Sequence, residues 1–320
     1  MPTPRLALHT WTLDTTPLSD VLRIARTVGW NGIELRRLDF ARAKEAGKPA
    51  EAVLDEVKAN GLPVACVGVE LGWMSAEGDE RRRLLAAFDE SCRWAKALGC
   101  DTVMSPVDRG AGTTEQAVTS VREVGDIAVR HGVRVALEFN SLCQYWNTLP
   151  RVRDVVRRAA HPGCGLLLDT YHLGKSGAAP SALDDLDPGE IAYVQFSDVP
   201  QKPEPGVFND RLPPGQGTVL FRELFGRIAK KGYAGYMSYE APNPSAGSPA
   251  DSGIVTPLQV VNLNFLNGET RKLTSPLATA LPKSTIAIPA AAGKGRKLTH
   301  EELLQLIDEL KLEPQLQELN

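Results

Sequence analysis

Four residues close short apolar runs. Glu138 ends VRVALE, Asp169 ends GLLLD, Gln195 stands within AYVQFSD, and Glu240 ends YMSYE. Three carboxylates and an amide oxygen are hard donors, a set that favours one divalent ion such as Mn²⁺ or Mg²⁺, with Co²⁺ as an alternative, over thiolate-seeking metals. The mixed set leaves positions open for a substrate, whose oxygen such an ion can polarise as a Lewis acid. Any one of the four alone reads as a surface or hydrogen-bonding group. At matching places on consecutive runs they read together as a metal site: Glu138, Asp169, Gln195 and Glu240.

The elements that must position them alternate short β-rich runs with longer amphipathic stretches from residue 6 to about 267, the pattern of repeated βα units. Eight strands are expected: Leu6–Thr12, Gly32–Leu35, Val64–Val69, Thr102–Ser105, Val133–Glu138, Gly165–Asp169, Ala192–Ser197 and Tyr236–Glu240. Helices over Ser19–Val28, Pro49–Asn60 and Thr114–His131 each stop before a glycine suited to the left-handed position beyond a helix. A last helix opening at Thr256-Pro257 and running to Gly268 would close the ring. The expected architecture is α/β: a (β/α)8 TIM barrel over residues 1–270, then a C-terminal extension over 271–320. Residues 274–297, rich in Pro, Ala, Lys and Gly, read as a linker or arm. A short helix follows, with Thr299 and Glu302 as its capping box and Leu303, Leu304, Ile307 and Leu310 as its stripe. That stripe either packs on its own barrel or joins a homo-oligomer.

Composition excludes several classes. A chain of 320 residues with 42% hydrophobic and 23% charged residues holds a packed core. Its net charge of -3 attracts no polyanion, and without a basic stripe interleaved with aromatics no nucleic acid is expected. No apolar run reaches signal-peptide or membrane-span length, so a cytoplasmic protein without a membrane partner is expected. Five cysteines without a C-x-x-C read as buried hydrophobes rather than disulfides or zinc ligands.

The segments ALEFN, LLDTYH, VQFSD, DRLPPGQG and YMSYEAPNP resemble the barrel of the xylose isomerase-like superfamily of sugar isomerases and epimerases, over roughly residues 5 to 267. The resemblance implies the same four metal ligands, and implies that His172 and Arg211 touch substrate oxygens. It also gives a reaction: moving a proton beside a carbonyl creates an enediolate whose charge the ion stabilises as it forms. Glu138 and Glu240, flanking the bound carbon, would remove and return the proton, with His172 as a third catalytic group. Arg211 could pair with an oxyanion or a substrate carboxylate. Further candidates for the pocket wall are His9, Trp11, Glu34, Arg36, Glu70 and Trp73. Trp11 and Trp73 read equally well as packed core residues, and Glu34 as a structural hydrogen-bond partner in the barrel mouth.

The expected activity is isomerisation or epimerisation of a small keto-sugar, hydroxy-keto acid or cyclic keto acid. Gln195 at the third ligand position is similar to hydroxypyruvate isomerase and 3-dehydroshikimate dehydratase, whereas ketose 3-epimerases have His, so a dehydratase or related lyase is the second reading. A non-catalytic barrel subunit that needs a partner is the third. The histidine-rich trinuclear zinc cluster of the endonuclease IV branch cannot readily be assembled from five histidines, His9, His131, His161, His172 and His300.

Overall fold

Alternation along the strands decides which side chains meet. In a parallel strand covered on both faces, successive residues point to opposite sides of the sheet. Here one parity (Leu6, Leu8, Ile33, Leu35, Val135, Leu137, Leu166, Leu168, Val194, Phe196) joins one large apolar cluster with the helices. The other parity contributes Ala7, Met104, Ala136, Leu167 and Tyr193 to a second, smaller cluster. The second set lies on the inner face of a closed barrel, where small and large residues fill the interior in layers.

The computed structural model describes residues 5–110, 112–202 and 210–242. Its strands are β1 (Arg5–His9), β2 (Gly32–Leu35), β3 (Val64–Gly68), β4 (Thr102–Pro106), β5 (Arg134–Glu138), β6 (Cys164–Asp169), β7 (Ile191–Phe196) and β8 (Tyr236–Tyr239). Each pairs in parallel with its neighbour in sequence, and β8 pairs with β1 to close the ring. The helices are α1 (Leu18–Thr27), α2 (Arg37–Glu45), α3 (Ala50–Asn60), α4 (Gly78–Ala97), α5 (Thr114–His131), α6 (Leu149–Ala159), α7 (Thr170–Lys175) and α8 (Phe221–Lys230). The eight-stranded (β/α)8 barrel expected from the sequence is therefore the fold observed.

Local chemistry sets the boundaries. The Thr113 hydroxyl accepts the Gln116 N–H at the start of α5, and Gly132, at φ 71°, takes the left-handed position at its end. β1 is shorter than expected. The His9 ring Nδ1 accepts the Trp11 N–H and caps a one-turn helix, Thr10–Leu13, so Trp11 and Thr12 lie beyond the strand. The Thr12 hydroxyl then donates to the Tyr239 carbonyl and accepts the Ala241 N–H, stitching the first and last strands together at the mouth. The expected closing helix from Thr256, the linker and the helix from Thr299 lie outside the described residues.

Candidate metal centre

Strand parity carries directly into the site. Glu138 follows Ala136 on the inner face of β5, Asp169 follows Leu167 on β6, Gln195 follows Tyr193 on β7, and Glu240 follows Ser238 one residue beyond β8. On β1 and β2 the inner-face positions are His9 and Glu34. All six are buried. The expected ligands thus converge where the interior apolar layer gives way to the barrel mouth, at the C-terminal ends of the strands.

Three acceptor oxygens there, Glu138 Oε1, Asp169 Oδ2 and Gln195 Oε1, are buried without a hydrogen-bond donor. Orphaned acceptors are costly unless something satisfies them. Arg211 Nη2 lies 2.7 Å from Asp169 Oδ2 and 3.3 Å from Glu240 Oε2, with the former contact an ion pair out of hydrogen-bond alignment. One guanidinium cannot balance Glu138, Asp169 and Glu240 together. Burial, then the charges of Asp169 and Glu240, pushes the Glu138 carboxyl well above its ordinary value. Burial pushes Glu240 up to about 7 against the pull of Arg211. Unsatisfied hard oxygens with surplus negative charge fit a divalent cation.

Neighbouring groups fix orientations. Gln195 Nε2 donates to Glu34 Oε1 at 2.9 Å, which commits its nitrogen and leaves Oε1 as the atom free to face a cation. Burial, then Glu240, raises the Glu34 carboxyl to about 8. The Ser141 N–H donates to His172 Nδ1 at 3.3 Å, so the ring carries its proton on Nε2, 3.6 Å from Glu138 Oε1 and 3.9 Å from Asp169 Oδ2. Glu138, Asp169 and His172 lie close enough to share an ion. With Nδ1 accepting from Ser141, His172 Nε2 carries a hydrogen that it can donate into the site. Burial lowers its pKa to about 4, keeping the ring neutral. Burial, then Arg36 and Arg211, likewise holds His9 well below its ordinary value.

Arg211 arrives on the segment Asp210–Gly217, which is held by Asp198. That buried carboxylate accepts the N–H groups of Gly215, Gly217 and Val219 at 2.8–2.9 Å. Arg211 Nη1 donates to Ser197 Oγ at 2.9 Å, and its guanidinium lies over the Tyr171 ring at 4.3 Å. Tyr171 donates in turn to Asp210. The site therefore includes Asp198, whose signal was the carboxylate ending VQFSD.

A cavity of about 630 Å³ opens above these groups, with His9, Trp11, Arg36, Glu138, His172, Arg211 and Glu240 in its lining. Three expected wall residues are elsewhere. Glu34 is fully buried against Gln195 and outside the lining. Trp73 is fully buried in the core, its indole N–H donating to Ser105 Oγ at 2.9 Å and its ring edge-on to Phe88. Glu70 is drawn aside by Arg83 at 2.7 Å and Arg37 at 3.4 Å. The cause is Asp108, whose carboxylate gathers the Gly72 and Ser75 N–H groups and turns the loop after β3 inward. Sequence reasoning missed Leu38, Leu71, Arg109 and Leu142 in the lining. Leu38 sits in the first turn of α2, and the other three lie in loops without a period to mark them.

Comparison with known proteins agrees with this fold. The family model described as xylose isomerase-like TIM barrel matches residues 22–261. An inosose isomerase of Halalkalibacterium halodurans is 25% identical over 79% of this chain and 95% of its own length. A 3-dehydroshikimate dehydratase of Pseudomonas putida is 31% identical over 52% of this chain, spanning 28% of that enzyme's length. Among solved structures the IolI protein, with a bound zinc atom, superposes with a TM-score of 0.67 at 20% identity, covering 75% of this chain and 90% of its own, a likeness of fold.

Proposed function

The chain belongs to the xylose isomerase-like TIM-barrel family, and we propose that it is a divalent-metal-dependent isomerase or epimerase that shifts a proton on the carbon beside a carbonyl of a keto-sugar or hydroxy-keto acid. The observation that carries this reading is the cluster of buried oxygens on three consecutive strands beside Glu240: Glu138 Oε1 and Gln195 Oε1 without a hydrogen-bond donor, and Asp169 Oδ2 paired with Arg211. The inosose isomerase and other isomerases among the relatives support it. Asp169 and Gln195 serve as ligands, whereas Glu138 and Glu240 hold the ion and also move protons. The ion supplies Lewis-acid stabilisation of negative charge on the substrate oxygen.

The chain's own residues do the rest. Glu138 and Glu240 reach the reacting carbon from different strands, so one carboxylate takes the proton and the other returns it. Burial raises both carboxyls, Glu240 to about 7, which suits that group to accepting and releasing a proton near neutrality. The neutral His172 donates Nε2–H to a substrate hydroxyl or carbonyl oxygen, and Arg211, fixed by Ser197 and Tyr171, anchors another oxygen.

A second reading is supported by the dehydroshikimate dehydratase match. A dehydratase begins with the same proton abstraction and then expels a β-hydroxyl, with His172 Nε2–H as the acid. Incubating ion-loaded protein with keto-sugars, hydroxypyruvate and dehydroshikimate in D₂O separates the two, because an isomerase incorporates deuterium beside the carbonyl while a dehydratase forms the unsaturated product. Glu138→Gln and Glu240→Gln should each lower turnover by about 10²–10⁴. Full activity in either variant removes the two-base mechanism, and no exchange or elimination across the panel favours a non-catalytic barrel.

A further inference from the structure

Two histidines at the barrel mouth are built alike. His9 Nδ1, at the end of β1, accepts the Trp11 N–H at 3.0 Å, and His172 Nδ1, in α7, accepts the Ser141 N–H at 3.3 Å. A ring nitrogen that accepts carries no hydrogen, so in each neutral imidazole the hydrogen is on Nε2. Each Nε2 faces a pair of carboxylates just beyond hydrogen-bond reach. His172 is 3.6 Å from Glu138 and 3.9 Å from Asp169, and His9 is 3.6 Å from Glu34 and 3.8 Å from Glu240. Because β5 pairs with β6 and β8 with β1, one imidazole stands beside each proposed base: His172 by Glu138, His9 by Glu240.

The reaction as described uses only the first of these rings. His9 is 4% exposed and lines the cavity. Two arginines of the same lining are committed to the protein. Thr10, Asp14 and Asp39 hold the Arg36 guanidinium, and Ser91, Glu90 and the Ala87 carbonyl hold that of Arg37. The His9 Nε2–H, in contrast, has no hydrogen-bond acceptor among the described residues. A nearly buried donor left open is costly unless something that enters the cavity accepts from it.

We propose, resting on the isomerase reading above, that His9 is a second substrate-binding donor: its Nε2–H holds a substrate oxygen on the Glu240 side of the reacting carbon, as His172 does on the Glu138 side. A hydroxy ketone offers two such oxygens, one on the carbonyl carbon and one on its neighbour. Each proposed base then works beside an imidazole that fixes the oxygen next to its proton.

Two substitutions separate this role from a structural one. His9→Asn keeps an oxygen to accept the Trp11 N–H, as asparagine does at helix starts, but withdraws the Nε2–H. His9→Gln places an amide N–H near the same point and gives up the cap. In the full-length, ion-loaded protein, deuterium exchange from D₂O into D-fructose, D-tagatose and hydroxypyruvate should fall about tenfold or more in His9→Asn and recover most of its rate in His9→Gln. The Tm of His9→Asn should stay at the wild-type value. A purely structural histidine gives the reverse order of the two variants. That order, an unfolded His9→Asn, or wild-type exchange in it overturns the proposal. A binding readout needs no turnover. N-hydroxyglycolamide carries a hydroxyl beside its two ion-seeking oxygens, and acetohydroxamate lacks it. By calorimetry the first should bind wild type about tenfold more tightly than the second, and that ratio should fall to about one in His9→Asn. An unchanged ratio overturns the proposal. If ketones exchange without dependence on His9, this inference alone falls. If no ketone exchanges but the hydroxamate ratio depends on His9, the isomerase reading falls and the donor assignment stands. With neither exchange nor a hydroxamate preference, both fall.

Discussion

An amide can face a cation with its oxygen or its nitrogen, and the neighbour of Gln195 determines which. Glu34 Oε1 takes the Nε2 hydrogen at 2.9 Å, so the carbonyl oxygen is the atom left toward the carboxylates. Outer partners of this kind commonly govern ligand affinity by about 10–100-fold. Glu34→Ala should therefore weaken binding of Mn²⁺ or Mg²⁺ by about that factor in a calorimetric titration. Glu34→Gln, whose amide oxygen accepts the same hydrogen, should keep most of the affinity. Wild-type affinity in Glu34→Ala would remove Glu34 from the site's organisation. The convergence of the proposed ligands was legible in the sequence because a polar residue closing an apolar strand run has its direction set by strand parity. Of the two readings of Glu34, the hydrogen-bond partner is the one observed, because it lies outside the cavity lining and bonds Gln195, a proposed ligand.

Loops follow no such parity, and the site depends on two of them. In the loop carrying Arg211, a Cβ added at Gly217 would sit 2.1 Å from the Val199 carbonyl oxygen, beside the Asp198 carboxylate. Gly217→Ala should cost about 1–3 kcal/mol of stability and displace Arg211, raising KM more than a comparable change elsewhere. Gly226→Ala, where the added carbon meets nothing within 4 Å, is the control, and equal behaviour of the two would separate the loop from the site. In the loop after β3, distance from the strand end suggested that Glu70 and Trp73 face the cavity, but Asp108 redirects the chain and sends Trp73 into the core. Elements are also tied across the outer layer. Arg153 on α6 holds Glu190, just before β7, through contacts of 3.0 and 2.7 Å. Burial opposes the Glu190 charge, but Arg153 and the Asp187 N–H outweigh it and set the carboxyl below its ordinary 4.5. The folded value lies below the unfolded one, so this stabilisation is complete above about pH 4.5 and is lost as the pH falls through the lowered value. Glu190→Gln should remove about 1 kcal/mol at neutral pH and flatten the acid limb of the stability curve. An unchanged acid limb would place that dependence elsewhere.

Across the whole molecule the barrel interior concentrates a charge imbalance that the fold must tolerate. Glu138, Asp169 and Glu240 are buried beside a single guanidinium, with Glu34 below them, and like charges in a dry site disfavour one another. A divalent ion bound only by the folded chain relieves that repulsion and stabilises the protein by mass action, about 2.7 kcal/mol at a hundredfold excess over Kd. For a chain of 320 residues that should raise Tm by about 4 °C relative to protein stripped with a chelator. Asp169→Asn is the discriminating variant. The Asp169 side chain also accepts the Tyr171 N–H at the start of α7, a bond that asparagine can retain while it removes one anionic ligand. The variant should therefore keep or exceed the ion-free Tm of the wild type, because it lowers the buried charge, and should lose most of the ion-induced rise. Scanning calorimetry with Mg²⁺, Mn²⁺, Co²⁺ and Zn²⁺ in turn reads both effects without a substrate. If none of the four moves the wild-type Tm, the carboxylate cluster is balanced by Arg211 and protons alone, and the metal-dependent reading of the barrel falls with it.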